Sequence, residues 1–322
     1  MNINCKVSHM LYRYERHYHK ENILDSKYLI IKRECQNAPL GLFAYYITNV
    51  AWIEYALRKN YIPVIDMKNF YNTFHNEGEV GQINTWEYFF EQPLGISIEE
   101  ALQTGKARYV WDDIPAFHPN ESLDFFQYTE LVDYYKEIAR KYIPFKREIK
   151  EILEKEKNEL LKNFRVLGVL ARGTDYTNLK PYFHPVQPTI EELIDKVDDY
   201  RKKYNCEKIF LATEDNTILE QMQERYKDDL LFVNQKRISH TDTYLNMNAE
   251  FMDVDTAKRG IDYLKAIYCL SKCEGLVAGR TSGTVGAVLL SDNYSFQYIF
   301  SKGRYGVEEN IMRNRIPKEL KR

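Results

Sequence analysis

The stretch from Val166 to Pro185, VLGVLARGTDYTNLKPYFHP, constrains this chain more than any other. Its opening run, VLGVLA, is bounded by charge on one side and by Arg172 and Gly173 on the other. It reads as a buried strand of a mostly parallel sheet, because strands covered on both faces lose the polar alternation of half-exposed ones. Ligands of open α/β sheets lie beyond the carboxyl ends of the strands, so Arg172, Thr174 and Asp175 face a crevice while their strand stays buried. A planar, permanently charged guanidinium there suits a diphosphate. Asp175 can accept a proton or orient a hydroxyl. It can equally pair with Arg172 and only hold the loop.

The residues that follow repeat the pattern. A helix starts at Pro188, with Ile190, Leu193, Ile194, Val197 and Tyr200 at helical spacing. The strand KIFLAT, a helix from about Thr217 to Tyr226, the strand LLFVN and a polar loop to Lys258 come next. The helix Gly260 to Ser271, the strand GLVAG, a helix after Thr284 and the strand FQYIF complete a doubly wound α/β domain. Strand ends again carry polar groups: Glu214 and Asp215 after KIFLAT, and Arg280 to Thr284 after GLVAG. The turn Thr281-Ser282-Gly283-Thr284, feeding a helix N-terminus, can hold an anion. Helix capping by Ser282 or Thr284 accounts for it equally well.

The first half opens as a βαβ unit. KYLIIKREC reads as a strand, the turn at Gly41 runs into a helix carrying Phe43, Ile47, Val50 and Ile53, and IPVIDM is the next strand. That turn lacks the full glycine fingerprint of a dinucleotide site. Residues 69–105 read as loop, with Asn72, His75, Glu77, Glu79, Asn84 and Trp86 suited either to a carbohydrate acceptor or to a plain surface excursion. An amphipathic helix over Glu130–Lys141 and a strongly charged one over Lys146–Asn163 lead into the Val166 strand. A length of 322 residues is comfortable for two domains, and the boundary is placed in this stretch.

A formal charge of −2 argues against nucleic-acid binding, which needs a basic surplus. The five cysteines are odd in number and form no CxxC pair, so neither a disulfide framework nor a zinc site is favoured and a reducing compartment fits. The N-terminus lacks a signal-peptide core and the longest apolar run, Gly41 to Leu57, is interrupted by polar residues; a soluble, cytoplasmic protein is expected. His17 and His19 read as a solvated face, and so does Asp253-Val254-Asp255, which follows no apolar strand. The basic tail (Arg313, Arg315, Lys318, Lys321, Arg322) reads as a solvated terminus, with peripheral contact to an anionic membrane as the alternative.

Taken together, VLGVLARGTD, His184-Pro185, IFLATED, KRG ahead of the helix ending in Leu270-Ser271, and the Thr-Ser turn resemble the C-terminal domain of the GT-B α1,6-fucosyltransferases and their bacterial Nod-factor relatives. The match spans about residues 160–300, with a weaker echo near Gly41 and Asn84–Trp86. The resemblance implies an α/β, GT-B fold of two Rossmann-like domains facing across a cleft. Residues 1–150 would form the acceptor side and 151–322 the nucleotide-sugar side. It also implies a GDP-fucose or other nucleotide-sugar donor, a glycan acceptor, inversion at the anomeric carbon, and neither metal nor cofactor.

By position, Arg172 matches the arginine on the donor diphosphate, with Gly173 and Thr174 beside it, and Asp175 an aspartate supporting that loop. Ser282, with Thr281, Gly283 and Thr284, matches the β-phosphate turn; Glu214 and Asp215 match an acidic pair near the donor pocket, and His184 belongs to the His-Pro motif. Arg172 and Asp175 are the implied catalytic residues, with Glu77 or Glu79 as alternative bases. The pattern departs at Gly173, where relatives often carry a second arginine, and at Leu170, where they carry histidine. Lys180 stands in place of their carboxylate. Their guanine-reading aspartate falls on Ala266, although Asp262 lies one turn upstream. A module that binds nucleotide or glycan without turnover is the competing expectation.

Overall fold

The computed structural model describes residues 27–34, 40–110, 115, 117–120, 125–239 and 241–307. His17, His19, Cys5, Cys35 and the basic residues from Arg313 onward lie outside them. The chain divides between Lys146 and Arg147 into two compact units.

The first unit contains β1 (Tyr28–Ile31), α1 (Leu42–Arg58), β2 (Ile62–Ile65), α2 (Ile98–Gln103), β3 (Ala107–Tyr109) and α3 (Thr129–Tyr142). The strands are parallel in the order β2-β1-β3. Helix α1 is buried over most of its surface, including Glu54, whose carboxylate accepts from Arg58 Nε at 2.8 Å and from the Tyr134 hydroxyl at 3.1 Å. A buried charge is tolerable when paired in this way.

The stretch after β2 turns inward. The Asn84 amide bridges Met67 N–H and Ile65 C=O, Gln92 brackets both backbone groups of Ile65, and Asn72 accepts from Thr85. Trp86 is fully buried and donates to Glu91 C=O. Asn72, His75, Asn84 and Trp86 therefore hold the loop's own backbone. Glu79 accepts from Asn76 and Tyr88, and those bonds, the Asn76 side chain foremost, hold it below the usual carboxylate range.

The second unit contains α4 (Arg147–Leu161), β4 (Val166–Leu170), α5 (Thr174–Leu179), α6 (Ile190–Lys203), β5 (Lys208–Ala212), α7 (Asn216–Tyr226), β6 (Leu230–Leu231), α8 (Ala249–Met252), α9 (Thr256–Ser271), β7 (Gly275–Ala278), α10 (Ser282–Leu290) and β8 (Phe296–Ile299). Its five strands are parallel in the order β6-β5-β4-β7-β8. Leu167, Val169, Leu193, Val197, Ile209, Leu211 and Val277 are among the residues forming its core. Gly168 is required in β4 because a Cβ there would come within 2.8 Å of Leu270 Cδ1 on α9.

Caps move several boundaries. Helix α6 starts behind a Thr189–Glu192 capping box, just after Pro188. Helix α9 starts at Thr256, four residues earlier than its apolar spacing indicates, because Asp255 accepts from Lys258 N–H at 2.7 Å. The Asp253-Val254-Asp255 run is thus a helix start. Helix α10 is capped by Thr281, which accepts from Thr284 N–H, rather than by Ser282 or Thr284.

Candidate active site

The chain runs from β4 outward to β5 and β6, then returns to the other side of β4 as β7. The direction of winding therefore reverses between β4 and β7, the switch point where open α/β sheets open a crevice for ligands. Leu170 pairs with Ala278 across it, so Arg172 and the Thr281 turn leave adjacent strand ends on the same edge.

Arg172 is oriented by two carboxylates. Its Nη2 donates to both oxygens of Asp175, at 2.8 and 3.0 Å, and its Nε stands 3.3 Å from Glu214. The Tyr176 ring lies against the guanidinium at 4.8 Å. Among the described residues nothing engages Nη1, and the side chain is 20% exposed, so one arm of the fork is left for a ligand. Burial works against the guanidinium charge, but Glu214 and Asp175 outweigh it and hold Arg172 charged beyond its ordinary range. Burial pushes the Tyr176 hydroxyl up to about 12.

The loop between β4 and α5 is built on the acidic pair. Asp215 caps α7 through Thr217 and Ile218 N–H and accepts from Thr174 N–H at 2.9 Å. Glu214 accepts from Gly173 N–H at 3.1 Å and from the Thr174 hydroxyl at 3.3 Å. A Cβ on Gly173 would lie 2.8 Å from Asp215 Cγ, so no side chain fits there unless Asp215 moves. Thr174 is buried with φ of 43°, an unfavourable region for a β-branched residue that its bonds to the acidic pair hold in place.

Across the switch point, the Thr284 hydroxyl donates to Gly279 C=O, which locks the turn. The N–H groups of Ser282 and Gly283 and the Ser282 hydroxyl have no partner among the described residues. The Tyr263 hydroxyl closes the gap: a Cβ on Gly283 would lie 2.6 Å from it, and its electrostatic neighbours are Arg172, Glu214 and Tyr176. Gln187 Nε2 donates to both Pro185 C=O and Arg280 C=O, tying the segment after α5 to the turn after β7.

The structure thus joins Arg172, Gly173, Thr174, Asp175, Glu214 and Asp215 in one network and sets Thr281, Ser282, Gly283 and Thr284 at the neighbouring strand end. His184 joins through its ring, edge-on to Tyr176 at 4.9 Å, and burial lowers its pKa. Asp262 is paired with Lys258 at 2.7 Å and Lys265 at 3.8 Å. Lys180 is exposed at φ of 46°. Sequence reasoning missed Tyr176, Gln187, Tyr263 and Leu245, whose N–H donates to Asp175 at 3.1 Å. Of these only Tyr263 had a signal, its helical spacing from Arg259.

Residues 81–283 match the family model described as the α-(1,6)-fucosyltransferase N- and catalytic domains. The chain belongs to that family. It is accordingly a glycosyltransferase of GT-B fold. NodZ α-1,6-fucosyltransferase soaked with GDP-fucose is similar at 17% identity and a TM-score of 0.51, over 83% of this chain and 93% of that one. The fucosyltransferase NodZ from Bradyrhizobium gives 17%, 0.51, 83% and 94%. POFUT1 in its apo form is more distant, at 10% identity and a TM-score of 0.45 over 87% and 99%. No curated protein matches the chain. Among the described residues no helix of this family member is long and apolar enough to cross a membrane.

Proposed function

We propose that this family member is an inverting, metal- and cofactor-independent fucosyltransferase that moves fucose from GDP-fucose to a glycan acceptor. The observation that carries the reading is that the unengaged Nη1 of Arg172 and the open N–H groups of α10 follow adjacent strand ends at a sheet switch point. A diphosphate held between them meets a fixed guanidinium and a helix N-terminus, and the negative charge that develops as the sugar leaves is stabilised by both. NodZ, of the same fold, has been soaked with GDP-fucose, which supports that donor.

Asp175 serves as the orienting group in this mechanism. It already accepts from Arg172 and Leu245, which leaves it poorly placed to take a proton from an acceptor. An oxocarbenium-like transition state tolerates a weak base, so the acceptor proton can pass to solvent. Three buried free cysteines, Cys206, Cys269 and Cys273, support a cytoplasmic site of polysaccharide or glycolipid assembly. The exposed Lys180, in the position of the family carboxylate, favours one competing reading, a donor-binding module without turnover.

Thermal shift with GDP, GDP-fucose and UDP-sugars, followed by nucleotide release in the presence of candidate glycans, tests the proposal. Stabilisation by guanosine nucleotides with release of GDP is expected. Stabilisation without release favours the non-catalytic reading, and no response to any nucleotide defeats both.

A further inference from the structure

Donor binding, on which this inference rests, brings an anion close to Asp175, Glu214 and Asp215. Arg172 pairs with the first two, Asp215 holds Thr174 N–H and caps α7, and Arg237 is an electrostatic neighbour of Glu214. The three are not equally satisfied. Asp215 accepts three backbone N–H groups, and Asp175 accepts twice from Arg172, once from Leu245 N–H and, at 3.4 Å, from the Thr174 hydroxyl that it shares with Glu214. Glu214 accepts from Gly173 N–H at 3.1 Å, from the Thr174 hydroxyl at 3.3 Å and from its own backbone N–H, none of them a charged donor. Arg172 Nε, 3.3 Å away, is not directed at it and makes no hydrogen bond. Of the three acids, Glu214 loses least by becoming neutral.

We propose that Glu214 takes up a proton from solvent when the diphosphate of a nucleotide sugar binds, so that donor affinity is coupled to pH through this one carboxyl. Neutral Glu214 then has an O–H to donate and no longer draws on the charge of Arg172, which is left to the diphosphate. Burial already pushes Glu214 upward against the opposing pull of Arg172. The groups facing it are Arg172, Asp175 and Tyr176 from the loop and helix after β4, Arg237 from the segment after β6, Tyr263 from α9, and Asp215 beside it.

The sign follows from linkage. If the complex holds the proton more tightly than the free protein, affinity rises as pH falls between the two pKa values, by up to about tenfold per pH unit. Outside that window it is flat.

Isothermal titration with GDP-fucose, whose diphosphate is esterified at both ends, reads the proton directly when run in two buffers of different ionisation enthalpy between about pH 6 and 8. Wild-type protein is expected to take up a fraction of a proton per site, approaching one, and to bind more tightly at lower pH. Glu214→Gln should bind without uptake and without pH dependence, whereas Glu214→Asp keeps the uptake. Binding by wild type with buffer-independent heat would overturn the proposal, and so would uptake that persists in Glu214→Gln, which would point to His184. Should GDP-fucose fail to bind at every pH, the donor reading itself falls and takes this inference with it.

Discussion

Gly173→Ala tests the architecture of the loop most directly. The added methyl would lie 2.8 Å from Asp215 Cγ and 2.9 Å from its Cβ, so the Asp215 side chain must move. Moving it breaks the bonds to Thr217 and Ile218 that start α7 and the one that holds Thr174. Overpacking costs about 1–3 kcal/mol and a lost cap about 1 kcal/mol, for a total of about 2–4 kcal/mol. Denaturant unfolding followed by circular dichroism measures this. Asp215→Gly removes the cap and all three contacting atoms, Cβ included, so Gly173→Ala should cost at least about 1 kcal/mol less in that background. An equal cost in both backgrounds, or a wild-type-like Gly173→Ala, would refute the proposed contact.

Arg172→Lys keeps the charge but loses the fork held by Asp175 and Glu214; GDP-fucose affinity should fall about 10–100-fold by titration calorimetry. His184 has a pKa depressed below its ordinary 6.5 by burial, so its neutral form favours the fold above that pH. Stability is lost as pH falls from 6.5 through the depressed folded value, because the unfolded chain binds the proton first. In a pH series of melting temperatures, His184→Asn should remove that part of the decline. EDTA should leave GDP-fucose binding unchanged by thermal shift, and a loss restored by a divalent ion would contradict the metal-free reading.

The strands β4 and β7 are legible because each is an unbroken apolar run between breakers, β5 because Lys208 is followed by one, and β8 because aromatic and β-branched residues flank Gln297. Strand β3 is not, since Ala107-Arg108-Tyr109 carries no periodic signal and pairs only because β1 offers it an edge. LLFVN yields just two paired residues. Beyond Leu231 the chain turns back toward the acidic pair, where Arg237 donates to Thr213 and Val233 carbonyls and Ile238 pairs with the backbone of Glu214 and Asn216. Asn72, Asn84 and Trp86 resemble surface by composition yet are spent on backbone carbonyls, which only the folded chain reveals. Asp175 was open to two roles in the sequence, and the distances to Arg172 favour the orienting one. Tyr263 and Gln187 act through long-range contacts that no local pattern announces.

Gln187 has a consequence for how this fold can diversify. One amide joins the carbonyls of Pro185 and Arg280, so a change in the segment after α5 is transmitted to the turn after β7 through that side chain. If the two strand ends hold a diphosphate as proposed, that link would let a lineage keep its hold on the diphosphate while the parts of the donor beyond it vary.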